Sequence, residues 1–167
     1  MTQQQQNNTV PSLYEWAGGM DVFERLIILF YKKVLDDELI GPVFRHMSPD
    51  HQRHVAHFIA EVFGGPKTYS EKEGSHYEMI QKHLGKHLTE VQRKRWVALL
   101  LESADAIDLP DDPEFRSAFV AYIEWGTRIA VLNSNTDTPA ITPGTPMPEW
   151  GWGVPGKPYL PDPPAAK

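Results

Sequence analysis

The chain has 167 residues, a formal net charge of -6 and no cysteine. This length suits one domain with tails, and the excess of acidic residues argues against binding to nucleic acid or to an anionic membrane. Without cysteine there is no disulfide, no thiolate metal site and no catalytic thiol. No segment has the pattern of a signal peptide or a membrane span, so the sequence predicts a cytoplasmic protein.

Both ends of the chain differ in composition from its middle. Residues 1–11 are rich in Gln and Asn, which predicts a disordered polar arm. Residues 134–167 are dense in proline, which excludes helix, yet they also carry tryptophan. We therefore expect residues 147–160 to form an extended arm that packs on the domain or on a neighbouring subunit; the alternative is a disordered tail. The predicted domain spans residues 12–133.

The first half of this domain has helical spacing throughout. A short helix covers residues 10–17 and ends at paired glycines. A second helix begins with a pattern like a capping box at Asp21 and Glu24. A short turn of helix follows over residues 38–44. The next helix begins at Ser48, a cap residue that precedes a proline, and it stops at a second pair of glycines.

The second half is also helical. A loop follows the second pair of glycines and leads into a short helix whose apolar face carries His83. Thr89 and Gln92 predict a capping box for a longer helix, and Asp112 with Pro113 begins the last one. No segment shows the period-two alternation of a strand. The fold class is therefore all-α, with about six helices, some of them very short.

Three histidines lie three residues apart on the helix that follows Ser48. His51 shares the apolar face with Val55, whereas His54 and His57 flank that face and are expected to be solvated. Glu61 stands four residues after His57, which is a weak match to metal-ligand spacing, and the zincin pattern is absent. A structural metal ion stays an alternative here.

His83 is the histidine most able to carry chemistry. A neutral imidazole among apolar neighbours needs a partner for its second nitrogen. The commoner explanation of such a residue is a packed core histidine, and the other is a metal ligand. His87 lies four residues later and is a rival, although Gly85 and the cap at Thr89 place it in a turn.

Two aromatic residues elsewhere bring hydrogen-bond donors. Tyr31 ends the apolar stripe of the second helix, and Trp96 carries an indole N–H that can only donate. A pocket with these donors and a histidine, otherwise lined by Phe44 and Val55, is apolar and rich in donors. Such a pocket suits a neutral diatomic molecule that gains negative charge when it binds iron.

The chain also contains a set of short motifs that are more specific together than singly. They are the paired glycines Gly18-Gly19 and Gly64-Gly65, the pair Phe30-Tyr31, the run GGPKTYSE, His83-Leu84 and Arg95-Trp96. With these motifs, residues 13–133 resemble the group II truncated haemoglobins, a family of small bacterial haem proteins. The resemblance implies an all-α truncated globin fold, a two-over-two helical sandwich around a haem, with extended N- and C-terminal arms here.

The resemblance also implies roles for particular residues. His83 matches the proximal ligand of the haem iron, and Tyr31 and Trp96 match the distal donors. Phe44, His51 and Val55 match the other distal positions, where Phe44 wedges against the haem edge and His51 gates access. The positions near the haem propionates are Lys67, Tyr69, His76 and Lys82. Two departures are Phe44, where many relatives have Tyr, and a segment from Gly74 to His83 that is one residue longer than expected.

These residues support three hypotheses of different classes. The leading one is reversible binding of O2, NO, CO or another small ligand at a pentacoordinate haem b (iron protoporphyrin IX), with slow release set by Tyr31 and Trp96. Slow release favours a scavenger or sensor over bulk oxygen transport. The second is a redox enzyme, an NO dioxygenase or a peroxidase-like protein, that uses the same haem and needs a reductase. The third is a haem-free helical bundle. A homodimer stays open for each.

Overall fold

The structure is a computed structural model that describes residues 10–153, and in this part of the chain the regular structure is helical, with no strand. The predicted all-α class is therefore confirmed. Seven α-helices and one π-helix follow one another: α1 Leu13–Ala17, α2 Met20–Asp36, α3 Gly41–Phe44, α4 His51–Val62, the π-helix Tyr69–Glu73, α5 His76–Gln81, α6 Glu90–Ala106 and α7 Pro113–Ser134. None of these helices is long and apolar enough to cross a membrane.

The long helices pack as two pairs around one core. α2 packs on α4 and on α6, and α6 packs on α7. The inner face of α2 is fully buried at Phe23, Leu26 and Phe30, because these residues recur at helical spacing and removing them from water is favourable. The two-over-two arrangement that the resemblance implied is confirmed. The domain boundaries at residues 12 and 133 stay a prediction, and residues 1–9 of the expected N-terminal arm lie outside the described part.

The two late caps form as the sequence predicts. The Thr89 hydroxyl accepts a hydrogen bond from Gln92 N, and the Gln92 side chain accepts one from Thr89 N, which completes a capping box. The Asp112 carboxylate accepts a hydrogen bond from Phe115 N over 3.0 Å, with Pro113 at the first helical position. Local side-chain chemistry is sufficient to begin α6 and α7.

The two early cap predictions are wrong. The residue before α2 is Gly19, which has a positive φ of 92° and no side chain, so Asp21 lies inside the helix rather than at its cap. α4 begins at His51 after Asp50, not at Ser48. Ser48 contributes only its carbonyl, which accepts a hydrogen bond from His51 N over 3.0 Å in the turn before the helix. The expected cap position is therefore inside the helix at α2 and in the turn before the helix at α4.

The glycines after α4 let α1 cross close to its end. Gly64 has a positive φ of 93°, which favours a residue without a side chain. A Cβ atom on Gly65 would lie 2.7 Å from the Ala60 carbonyl oxygen and 2.7 Å from the Tyr14 ring. The Tyr14 N–H donates to the Phe63 carbonyl over 2.9 Å. The paired glycines therefore both end α4 and make room for α1.

The segment predicted as a loop after α4 contains the π-helix. Its Ser70 donates through its backbone N–H, over 2.9 Å, and through its hydroxyl to the buried Glu61 carboxylate. His57 is buried as well, and its Nδ1 donates to Glu73 over 2.7 Å. The prediction that His57 is solvated is therefore wrong, because the π-helix covers it. His57 and Glu61 serve separate partners, and residues 10–153 contain no group of three side chains able to hold a metal ion.

The segment after α7 runs back over the helices. The backbone N–H of Trp150 donates to the Val62 carbonyl over 2.9 Å. The indole N–H of Trp152 donates to the Pro11 carbonyl over 2.7 Å. Both rings pack against the hydrophobic core. The described part of the expected arm thus lies on its own domain, while residues 154–160 of it lie outside the described residues.

Candidate functional site

A cavity of about 530 Å³ opens between the helix pairs. This volume lies in the range of small-molecule and cofactor sites. Most side chains in its wall are apolar, and they come from α2 to α7 and from the loops beside these helices. The wall brings together these residues predicted from the sequence: Tyr31, Phe44, His51, Val55, His76, Lys82, His83 and Trp96.

Two predicted residues are not in this wall. Lys67 is exposed ahead of the π-helix. Tyr69 is fully buried, with its ring edge against Phe58 at a centroid distance of 5.1 Å, and its hydroxyl donates to the Ser75 carbonyl over 3.4 Å. Burial, with nearby carboxylates as smaller causes, raises the pKa of Tyr69 to about 12. Tyr69 therefore supports the turn that leads to His76 instead of facing the cavity.

His83 lies in the turn after α5, which ends at Gln81, and not on the helix as predicted. It enters the wall with one nitrogen already engaged in a hydrogen bond. Its Nδ1 lies 2.8 Å from the Met79 carbonyl oxygen, which can only accept, so Nδ1 carries the proton. Burial, the largest influence, lowers the pKa of His83 and favours the neutral ring. Nε2 then holds a lone pair, and no described residue hydrogen-bonds to it. A hydrogen bond of this kind holds the ring of a metal-binding histidine in one orientation.

His87, the rival of His83, lies elsewhere. Its side chain is exposed, its φ is positive at 52°, and it is not in the cavity wall. Its backbone N–H donates to the Ser134 carbonyl over 2.9 Å, which ties the turn between α5 and α6 to the end of α7. The structure therefore brings His83, and not His87, to the cavity.

Tyr31 and His51 form a direct pair. The Tyr31 hydroxyl oxygen lies 2.8 Å from His51 Nε2. Burial raises the pKa of Tyr31 well above its ordinary value, so the phenol keeps its proton. A neutral imidazole has one N–H, so Nε2 either accepts the phenol proton or donates to the phenol oxygen. In the second arrangement the phenol proton is free to turn towards the cavity.

Acidification is expected to destabilise the haem-free chain through His51. Burial, with the positive charges of Lys82 and Lys86 among the smaller causes, lowers the pKa of His51 from 6.5 to about 4. Between pH 6.5 and about pH 4, the unfolded chain binds a proton on His51 that the folded chain does not bind. The free energy of unfolding contributed by His51 is therefore fully present above pH 6.5 and is lost as the pH falls towards about 4. The loss is at most about 3 kcal/mol, because one pKa unit corresponds to about 1.4 kcal/mol.

Denaturant titrations of the haem-free chain from about pH 7 down to about pH 4 measure this effect. The matched variant is His51→Gln, which stays neutral and keeps a polar group near Tyr31. Its stability should depend less on pH than that of the wild type. Burial also lowers the pKa values of His76 and His83, and arginine partners lower those of Glu90 and Glu124. These groups contribute to the slope that both proteins share. Equal slopes in the two proteins would exclude His51 as the cause.

The ring of Phe30 lies between Trp96 and Tyr31 and contacts both. The Phe30 ring lies edge-on to both, with centroid distances of 4.8 Å to Trp96 and 4.9 Å to Tyr31. Phe44 packs on Tyr31 from another side at 5.5 Å. The Trp96 indole N–H has no hydrogen-bond partner among residues 10–153. Two polar donors are thus held by aromatic packing in an otherwise apolar wall.

Several wall residues were not anticipated from the sequence. Lys86 lies in the wall with Lys82, and both side chains are exposed, which gives the cavity a cationic edge. Both lysines lie outside α5, which ends at Gln81, so helical spacing could not have revealed Lys86. α7 contributes a long stretch of wall that includes Tyr122 and Trp125. The inward stripe of α7 was visible in the sequence, but its use as a cavity wall was not.

The cavity fits a haem on three counts. It is a mostly apolar slot, it contains a neutral histidine whose Nδ1 is already hydrogen-bonded, and its edge carries Lys82 and Lys86. A porphyrin is a large apolar ring with two carboxylates, and its iron accepts an imidazole ligand. The donor set therefore matches what such a group requires.

Comparisons with known proteins agree with this site. The family model described as bacterial-like globin matches residues 12–124. The chain is 30% identical over 89 residues to "Group 1 truncated hemoglobin GlbN" of Nostoc commune, which covers 46% of this chain and 75% of that one. It is 25% identical over 121 residues to "Group 2 truncated hemoglobin YjbI" of Bacillus subtilis (strain 168), covering 72% and 89%.

Solved structures show the same fold. The group II truncated hemoglobin from Bacillus anthracis superimposes with a TM-score of 0.67 at 21% sequence identity, and the match covers 79% of this chain and 97% of that one. The family model covers well over half of the chain. The chain therefore belongs to the bacterial-like globin family, the resemblance to group II truncated haemoglobins is confirmed, and haem-based binding of small ligands such as O2 follows from that membership.

Proposed function

We propose that the chain binds haem b in this cavity, with Nε2 of His83 as the axial ligand. The observation that carries the proposal is the hydrogen bond from His83 Nδ1 to the Met79 carbonyl, at 2.8 Å. It leaves the Nε2 lone pair for iron and holds the ring in one orientation. The haem would supply an iron atom to which a diatomic ligand binds reversibly.

Tyr31 and Trp96 are proposed as the donors to that ligand. Both lie in the cavity wall, and both are held in place by Phe30. The Trp96 N–H is unengaged among the described residues, and the Tyr31 proton becomes available when His51 donates to the phenol oxygen. A ligand that gains negative charge on binding is stabilised by preorganised donors in a site with little water.

Slow release follows from these donors. A hydrogen bond to a charged partner contributes about 1.5–3 kcal/mol, and a tenfold change in rate corresponds to about 1.4 kcal/mol. Two such bonds would slow release by roughly two to four powers of ten. This argues for a scavenger or a sensor of O2, NO or CO rather than a protein for bulk oxygen transport.

The remaining wall residues are proposed to seat the haem. Lys82 and Lys86 stand where the propionates of a haem ligated by His83 could pair with them. His76 adds a polar group to the wall, because its Nδ1 is buried without a hydrogen-bond partner among the described residues. Phe44 and Val55 keep the slot apolar.

The redox-enzyme alternative is not proposed, because no contact among residues 10–153 favours an NO dioxygenase or a peroxidase-like reaction over simple binding. A reductase, a homodimer and a cytoplasmic location stay predictions from the sequence. Lys67 and Tyr69 are not included among the haem contacts, since neither lies in the cavity wall.

Haem titration of the purified chain tests the proposal. We expect a Soret band that saturates at one haem per chain, and a ferrous spectrum typical of a five-coordinate iron with one histidine. A chain that gains no Soret band after addition of haem would refute the proposal. A six-coordinate ferrous spectrum would mean that a second side chain, with His51 the nearest candidate in the distal wall, ligates the iron.

A further inference from the structure

The wall that α7 gives to the cavity is backed by a residue from the C-terminal arm. Tyr122 and Trp125 both line the cavity. The Trp150 ring lies against both of them, with centroid distances of 5.7 Å to Tyr122 and 5.8 Å to Trp125, and does not itself line the cavity. Trp150 therefore forms a second layer behind this part of the wall.

This second layer is fixed to the domain on both sides. The backbone N–H of Trp150 donates to the Val62 carbonyl at the end of α4, over 2.9 Å. Two residues later, the Trp152 indole donates to the Pro11 carbonyl over 2.7 Å, and its ring lies edge-on to Phe115 at 6.3 Å. The arm is thus attached to the start of the domain, to α4 and to α7.

The layer matters because one wall residue beneath it is only partly covered. Trp125 is 38% exposed even with Trp150 against it. An exposed aromatic side chain changes rotamer on a fast timescale unless neighbours restrain it. A diatomic ligand needs only a brief gap of its own size to pass. Tyr122 also packs on Phe63, at a centroid distance of 5.3 Å, and on Trp125, at 6.2 Å. Without Trp150, the Tyr122 and Trp125 rings would lose the one aromatic partner that they share from outside the wall.

We infer that the C-terminal arm is a structural part of the ligand cavity, and that Trp150 keeps the α7 side of the cavity closed to diatomic ligands. This inference rests on the proposed function for the identity of the ligand. It extends beyond the family domain, because the family model ends at residue 124 and so includes neither Trp125 nor Trp150. The arm would then act on how ligands enter and leave, without touching the haem.

The test uses the full chain loaded with haem and compares Trp150→Ala with Trp152→Ala. The two variants remove the same side chain from the same arm, but Trp152 packs on Trp16 and Phe115, neither of which lines the cavity. Laser photolysis of the CO form measures how fast CO escapes to solvent. CO should escape about tenfold faster from Trp150→Ala than from the wild type, a change that corresponds to a barrier about 1.4 kcal/mol lower. Trp152→Ala should match the wild type in this rate.

A second measurement does not depend on haem. Xenon occupies apolar cavities, and NMR of dissolved xenon reports how fast it exchanges with the haem-free chain. Exchange should be faster in Trp150→Ala than in Trp152→Ala. If Trp150→Ala does not fold, Trp150→Phe keeps an aromatic ring and should give a smaller acceleration in both measurements.

The outcomes separate the inference from the proposed function. Unchanged CO escape and unchanged xenon exchange in the Trp150 variants would overturn the inference while leaving haem binding intact. Equal acceleration in the Trp152 variant would also overturn it, because the effect would then come from the arm as a whole. A wild-type chain that binds no haem would refute the proposed function, and the xenon comparison would still decide whether Trp150 closes the cavity.

Discussion

Replacing His83 by alanine is expected to abolish the axial bond to the haem iron. Loss of a second-shell partner alone lowers metal affinity by about 10–100-fold, so loss of the ligand itself should lower haem affinity by more than that. The Soret band should shift or disappear, and haem should transfer rapidly to a competing apoglobin. Absorption spectra and the rate of haem transfer measure the two effects.

The matched control for this variant is His87→Ala. His87 lies four residues later, is exposed and is absent from the cavity wall, so its removal should leave the spectrum unchanged. The opposite result, a normal spectrum in His83→Ala and a changed one in His87→Ala, would show that His87 and not His83 ligates the iron. Added imidazole should restore part of the axial bond in His83→Gly, which distinguishes a lost ligand from a misfolded chain.

Replacing Tyr31 by phenylalanine is expected to speed the release of O2 by about 10- to 150-fold. This range follows from a hydrogen bond to a charged partner worth about 1.5–3 kcal/mol and from about 1.4 kcal/mol for each factor of ten. The ring itself is retained, so its contacts with Phe30 and Phe44 remain. Stopped-flow displacement of O2 measures the release rate.

Tyr69→Phe is the control for the Tyr31 experiment. Tyr69 is also a buried tyrosine, but its hydroxyl faces the Ser75 carbonyl outside the cavity, so release should not change. A release rate that is the same in Tyr31→Phe as in the wild type would mean that the phenol proton is given to His51, which lies 2.8 Å away. In that case only Trp96→Phe should speed the release of O2.

Much of the fold and the site could be predicted because the signals are local. The capping box at Thr89 and the cap at Asp112 depend on residues three positions apart, and the apolar faces of the helices depend on a period of 3.6 residues. The same periodicity placed Tyr31 on the buried face of α2, whereas His83 lies in the turn after α5 and not on its face. A motif set that spans the whole domain then identified the family.

The error at His57 arose because one element covers another. His57 looked solvated on its own helix, but the π-helix brings Glu73 to its Nδ1 at 2.7 Å. Tyr69 and Lys67 lie in a motif shared with haem proteins, yet one is turned into the core and the other into solvent. Helical spacing says which face of a segment is apolar, and it does not say which segment will cover that face.

The sequence by itself determined that this chain is an all-α globin, and it predicted that a histidine, a tyrosine and a tryptophan serve one haem site. Only the tertiary structure decided that Nδ1 of His83 is occupied by a carbonyl, that Tyr31 pairs with His51, and that Trp150 backs the wall of α7. The physical reason is the distance along the chain over which each kind of interaction acts. Helix periodicity and caps are set by neighbours within a few residues, whereas these contacts join parts of the chain whose approach depends on how the whole core packs.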